Sequence, residues 1–314
     1  MAFCSFMSQS AGVKKASLFK PRSKERGETL SRTFMTLQQL IQRIKQKKEL
    51  QDINDDFVKE QLLAYFKQNP RHRAILTAKL NPKSALTIKI IKSIRAQLRR
   101  VYGLFRSSDD PALDLSLIKK VAASASSERK KIIAAILQSH ASTKERVSFY
   151  TELYRKIIAV TGKPTVILDL GCGLNPLSIP WMNLKRVAYH AYDLHEQEVI
   201  FLNSFFQVMK INGRAVVADI SRSSVVSALP KADLCFVFKM TDIFDQGRGH
   251  KASEMVIRSV PARFVVVSFP TVTMSGKKMN FPRRKWIELL SRRLGYSYSV
   301  LEFSNEIFYV ITKG

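Results

Sequence analysis

Asp169, Gly171 and Gly173 lie in the run VILDLGCGLNP, Asp193 falls in AYHAYDLH and Asp219 in AVVADIS. Glycines at such a turn admit dihedrals closed to other residues and leave no Cβ between main chain and ligand, so a ligand can rest directly on the backbone. The run lacks the third glycine of G-x-G-x-x-G and contains no GK[ST], which argues against a dinucleotide site or a phosphate loop. An acid about twenty residues after the turn, Asp193, can accept both hydroxyls of a ribose. The next one, Asp219, can meet an adenine amino group, with Ile220 as an apolar wall. Each acid taken singly has a second reading, because a strand-ending Asp also caps the helix that follows.

An acid two residues before G-x-G, here Asp169, suits the amino-acid end of S-adenosylmethionine (SAM). Holding these residues together requires a sheet. Short apolar runs at 165–170, 187–192, 215–220, 232–238 and 262–268 are separated by helix-length segments, the pattern of a parallel sheet covered on both faces. In such a sheet ligands lie beyond the carboxyl ends of the strands, where Asp193 and Asp219 are expected. The last two runs, 298–303 and 307–311, are separated only by Ser304, Asn305 and Glu306, so they make an antiparallel hairpin. The expected fold is α/β, a Rossmann-like sheet of seven strands ending in that hairpin, preceded by a helical domain.

From about residue 30 to 140 the apolar period is helical. The clearest helix spans 84–106, with Leu86, Ile90, Ile94, Leu98, Val101 and Phe105 on one face. Lys92, Arg95, Arg99 and Arg106 form a stripe on the other. A basic stripe is commonly a solvated face. Here residues 1–140 hold 28 Lys and Arg against 11 Asp and Glu, whereas a merely soluble face mixes both signs. Residues 30–138 are therefore read as a helical RNA-docking domain and 139–314 as the sheet domain.

The chain has 314 residues, 46% of them hydrophobic, ample for a core, and a formal net charge of +27. That field attracts polyanions, and phosphate backbones are the commonest. No apolar run approaches the roughly 20 residues that span a bilayer, so nucleic acid is preferred to a membrane. Cys4, Cys172 and Cys235 are far apart with no C-x-x-C pair, which argues against a zinc site or a disulfide framework, and no metal is expected. Residues 1–29 read as a basic flexible tail. An organellar targeting segment has the same composition, but a cytoplasmic monomer is the expectation.

Upstream of the glycine turn stands SHASTKERVSFYTELY, residues 139–154, followed by DLGCGLNPLSIPWM and later by VVSFPT. Together these resemble the aminoglycoside-resistance methyltransferases that modify guanine N7 in the decoding site of small-subunit ribosomal RNA, enzymes of the class I SAM-dependent fold. The resemblance covers about residues 135–312. It implies SAM as cofactor and the small ribosomal subunit as partner. His140, Arg146 and Tyr154 would lie against the SAM pocket, with Arg146 pairing bidentately with the methionine carboxylate. Ordinary alternatives are helix capping for His140, a surface ion pair for Arg146 and core packing for Tyr154. Phe238 and Gln246 join the cofactor set by the same resemblance. After SFPT this chain has the shorter VTMSGKKMNF, keeping Gly276, Lys277, Lys278 and Met279, with the two lysines expected to meet RNA.

Guanine N7 carries a lone pair and no proton, so its methylation needs positioning and no general base. In keeping with this, the fourth strand ends FVFKMTD, without the [N/D]PP[Y/F] motif of amine methylation. Cys172 and Cys235 read as small packed residues. A base inside folded RNA must be flipped out to react. Phe269 is a candidate stacking platform, with core packing as its alternative, and Lys239 a candidate for holding a phosphate or the base carbonyl. Methylation of another RNA position, or an inactive methyltransferase fold serving ribosome assembly, are the competing readings.

Overall fold

The computed structural model describes residues 35–51, 53–72, 81–102, 113–245, 249–273 and 277–314, all within one compact unit, Phe34–Gly314. The expected tail at 1–29, and Arg106, Gln246 and Gly276, lie outside the described residues.

Three helices open the chain: α1 (Leu37–Lys45), α2 (Asp55–Gln68) and α3 (Ala85–Tyr102). Each starts on a local signal. Thr36 and Gln39 form a reciprocal capping box on α1, the Asn54 side chain accepts from Asp56 N and Phe57 N on α2, and Ser84 Oγ accepts from Thr87 N at the start of α3. Their apolar faces, with Ile41, Phe57, Leu62, Ile90, Ile94 and Leu98, make a core of their own.

The next two helices, α4 (Leu115–Ala123) and α5 (Ser126–Ser139), do not join that core. Their Ile118, Val121, Ile133 and Leu137 pack with Tyr189 and Phe205 of the sheet domain. Packing thus groups α1 to α3 in one core and α4 and α5 with the sheet. Hydrophobic periodicity reports that a helix is amphipathic but not which neighbour covers its face.

Then come α6 (Tyr150–Thr161), β1 (Val166–Leu170), β2 (Ala188–Asp193), α7 (Glu196–Val208), β3 (Gly213–Val217), β4 (Ala232–Phe238), α8 (Lys251–Ser259), β5 (Ala262–Pro270), α9 (Lys285–Arg293), β6 (Ser297–Glu302) and β7 (Glu306–Thr312). The sheet order is β3-β2-β1-β4-β5-β7-β6, with β7 antiparallel to β5 and β6. This is the expected sheet with its terminal hairpin. Alternate residues go to opposite layers: Phe236, Phe238, Val266 and Phe308 face α4 to α7, while Cys235, Val237, Val267 and Tyr309 face α8 and α9. The third strand begins earlier than its apolar run, with Gly213 and Arg214 pairing Tyr189 and His190 of β2, and a Cβ on Gly213 would stand 2.7 Å from the Phe206 ring. That glycine lets the strand lie close to α7. Among the described residues no helix is long and apolar enough to cross a membrane.

Candidate cofactor and substrate site

The chain leaves β1 through Gly171 at φ 66° and Gly173 at φ 47°, the left-handed region that glycine favours. A Cβ on Gly171 would lie 2.3 Å from Met240 Sδ, so the turn is pressed against the segment that leaves β4. Gly171 N and Cys172 N both donate to Tyr192 O, at 2.8 and 3.2 Å. Gly173 N donates to Asp193 Oδ2 at 2.8 Å. These bonds stitch the glycine turn to the end of β2.

Asp193, the last residue of β2, is buried. Its Oδ1 accepts from Leu194 N at 2.7 Å and His195 N at 3.0 Å, with His195 Nδ1 at 2.9 Å. Burial pushes its carboxyl up, but His195 and the backbone donors outweigh this and hold it below the ordinary range. Asp219 is less committed. It lies two residues beyond β3, half-buried, and its Oδ1 accepts from Ser221 N at 3.0 Å and Ser221 Oγ at 2.6 Å. These bonds close a turn, the short helix that follows has Arg222 and not Asp219 at its N-cap, and Ile220 is buried.

Behind the glycine turn runs a buried polar chain. Asp169 Oδ2 accepts from Tyr189 Oη at 2.6 Å and Asn175 Nδ2 at 2.9 Å. Ser178 Oγ donates to Asn175 O at 2.6 Å and also contacts Tyr154 Oη. Burial pushes the Asp169 carboxyl up to about 6, against the two donors that favour its ionised form. Tyr154, 2% exposed, stacks on Tyr150 with ring centroids 5.6 Å apart. Asp169 and Tyr154 thus brace the turn and the 3-10 segment Asn175–Trp181 from beneath.

Arg146 enters from the segment between α5 and α6. Its Nε and Nη2 donate to the two oxygens of Glu306, each at 2.9 Å, and its Cζ lies 4.8 Å from the Phe238 ring centre. The guanidinium is 2% exposed and the carboxylate 0%. Burial disfavours the arginine's charge, yet Glu306 more than offsets it and raises the guanidinium above its usual range. Lys239, directly after β4 and at φ 57°, reaches the same place. Its Nζ bonds Glu145 and lies 3.6 Å from Glu306. Two cations and two carboxylates therefore interlock at the carboxyl end of β4. His140, at the end of α5, puts Nε2 3.5 Å from Glu198 Oε1. Asp193, His195 and Glu198 bring metal-ligand-type atoms within 4.8 Å of one another, a grouping the sequence reading did not anticipate.

Four of the expected site residues make protein contacts of their own. Phe269, expected as a stacking platform with core packing as the alternative, is 3% exposed and wedged edge-on against Trp286 and Tyr309. Strand alternation turns it toward α9, the layer opposite Phe238. Arg95 is part of the bundle's framework, donating to Arg43 O and Ile44 O at the end of α1. Arg99 pairs through two nitrogens with Glu49, whereas Lys92 is exposed on the same helix. Arg146 meets a protein carboxylate, leaving Nη1 as the guanidinium nitrogen outside that pair. Lys277 and Lys278 are exposed.

Glu306 and Glu145 were missed because they are remote in sequence from what they serve. Glu306 read as a turn residue between two strands, and Arg146 lies 160 positions away. Asn175, Ser178 and Tyr189 were also missed. Cys172 and Cys235 are buried, and burial pushes both thiols well above the ordinary range, which keeps them unreactive.

Comparison with known proteins agrees with this architecture. The profile of a family described as ribosomal RNA methyltransferase (FmrO) matches residues 75–310. A 16S rRNA (guanine(1405)-N(7))-methyltransferase of Frankia casuarinae is 28% identical over 229 residues, covering 71% of this chain and 80% of the relative. One from Proteus mirabilis is 27% identical over 238 residues, covering 71% and 83%. The fold is that of the 16S rRNA methyltransferase RmtF, crystallised with S-adenosyl-L-homocysteine: TM-score 0.68 at 22% identity, over 89% of this chain and 100% of that one. The 16S rRNA methylase ArmA superposes with TM-score 0.51 at 26% identity, over 65% and 99%. With a profile match across three quarters of its length and the seven-stranded fold of these enzymes, the chain belongs to the FmrO family of ribosomal RNA methyltransferases.

Proposed function

We propose that this protein methylates N7 of a guanine in the decoding region of small-subunit ribosomal RNA, with SAM as methyl donor. The observation that carries the reading is the convergence of the glycine turn, Asp193 and the buried Arg146 at the carboxyl ends of β1, β2 and β4, in a chain of this family. The donor set suits that cofactor. Arg146 offers a buried guanidinium to a carboxylate through Nη1, Asp193 offers acceptors to a ribose, and Asp219 with Ile220 suits an adenine. Bound there, SAM supplies a methyl group made electrophilic by its sulfonium.

The protein's own part is positioning. Guanine N7 needs no deprotonation, which agrees with a β4 end that presents Lys239, Met240 and Thr241 and with two inert thiols. In this reading Lys239 leaves its contact with Glu145 to hold the carbonyl oxygen of a flipped base. Lys92, Lys277 and Lys278 present exposed charge to phosphates. Methylation at N7 removes a hydrogen-bond acceptor and adds charge and bulk, which disfavours a cationic ligand that reads that edge; aminoglycoside resistance follows from this chemistry.

The test is transfer of labelled methyl to isolated small subunits, followed by borohydride–aniline cleavage, which cuts RNA at N7-methylguanosine. Alongside it, calorimetry with S-adenosylhomocysteine should show Asp193→Ala weakened by about 1 to 3 kcal/mol. Label without cleavage at a guanine would move the reaction to another atom. Cofactor binding with no transfer would make the chain an RNA-binding factor.

A further inference from the structure

The two loops proposed to meet the adenosine each have a partner in the N-terminal bundle. In the first, His195 forms an antiparallel β-bridge with Ile53, and Leu194 packs against the bundle's apolar core. Both residues give their backbone N–H to Asp193 Oδ1. In the second, Arg222 Nη1 donates to Glu60 Oε1 at 2.7 Å. Arg222 N in turn donates to Asp219 O at 3.3 Å, closing the turn that carries this acid. Ile53, 1% exposed, immediately precedes the Asn54 cap of α2, and Glu60 lies on α2 itself. One rigid element therefore touches both loops, one to three residues from each acid.

We propose that the N-terminal bundle is part of the cofactor site, with Ile53 and Glu60 as positioning residues for the adenosine loops, so that RNA docking and cofactor affinity are coupled. This rests on the reading above of Asp193 and Asp219 as nucleoside ligands. The sequence reading had assigned the pocket wholly to residues after about 139 and the bundle to docking alone. The structure joins the two roles mechanically. α3, which carries the exposed Lys92, packs on α1 and α2 in the same core. Phosphate contacts on its outer face bear on a body whose other edge is the rim of the pocket. Whatever factor RNA contributes to cofactor affinity, bound cofactor returns to RNA affinity.

Calorimetry with S-adenosylhomocysteine on the full-length chain tests this, using Glu60→Arg, Arg222→Glu and the double charge swap. The Glu60 and Arg222 side chains are 43% and 52% exposed, so the fold tolerates the exchange, and thermal melts verify it. Each single reversal should weaken binding about threefold to tenfold, and the double swap should recover to within about twofold of wild type. Saturating isolated small subunits should shift the wild-type affinity, and the shift should shrink in Glu60→Arg. Single variants at wild-type affinity, or a double swap no better than the product of the singles, would overturn the coupling. Asp193→Ala distinguishes the failures. If it binds like wild type, the pocket assignment itself is wrong; if it binds weakly while Glu60→Arg does not, only the coupling falls.

Discussion

Removing Glu306 should be among the costliest single changes in this protein, because the carboxylate neutralises two buried cations at once. It accepts from Arg146 Nε and Nη2, each at 2.9 Å, and lies 3.6 Å from Lys239 Nζ. Lys239 keeps Glu145, but Arg146 is 2% exposed, so its charge cannot turn to water when Glu306 goes. Breaking a buried pair from one side costs about 3 to 5 kcal/mol, most of it the penalty of the stranded charge. At about 2 °C or more per kcal/mol for a domain of this size, Glu306→Ala should melt at least about 6 °C below wild type. Replacing both partners, Arg146→Met with Glu306→Leu, leaves no stranded guanidinium and should recover much of that loss. Cofactor affinity should behave differently: the double variant, lacking the guanidinium, should stay weak for S-adenosylhomocysteine by about 1.5 to 3 kcal/mol. Melts and calorimetry on the same samples separate the two effects. A Glu306→Ala protein within about 2 °C of wild type, or a double variant no more stable than the single, would refute the stranded-charge account.

Two other outcomes follow from the same geometry. Asp169, with its carboxyl pushed from 3.8 up to about 6 by burial, favours the fold when protonated. That contribution is fully present below the unfolded value and is lost as pH rises through about 6, a change of about 3 kcal/mol. Asp169→Asn keeps an acceptor for Tyr189 and Asn175, so its urea stability relative to wild type should improve between pH 4 and 7.5; a constant difference would count against the shift. On α3, Lys92→Gln should flatten the salt dependence of subunit binding by about 0.7 to 0.9 log units with the melting temperature unchanged. Arg95→Gln, which strips donors from Arg43 O and Ile44 O, should instead cost about 1 to 3 kcal/mol of stability. The opposite pattern would restore Arg95 to the docking face.

What was legible in the sequence is what short-range chemistry writes into it. The glycine turn could be read because Gly171 and Gly173 occupy left-handed backbone that few other residues adopt. The hairpin followed from a three-residue link, and the strands from apolar runs cut by polar ones. The start of β3 escaped because Gly213 and Arg214 are not part of an apolar run and belong to the strand through their pairing with Tyr189 and His190 of β2. The facing of Phe269 escaped for a related reason: β5 is buried on both layers, so its run VVVSF carries no alternation to say which residue points where. Charges were the least legible of all. Arg95 and Arg99 stand on the polar side of their helix, and only the packing of α1 and the segment at Glu49 against α3 turns that side inward for one and supplies an acid to the other. Arg146 was expected to pair with the methionine carboxylate or in a surface ion pair, and its buried protein partner, Glu306, sits 160 residues on. Local dihedral preference and periodicity are encoded residue by residue. Which buried charge meets which, and which helix closes over the pocket, is decided only when the fold brings distant segments within a few ångströms.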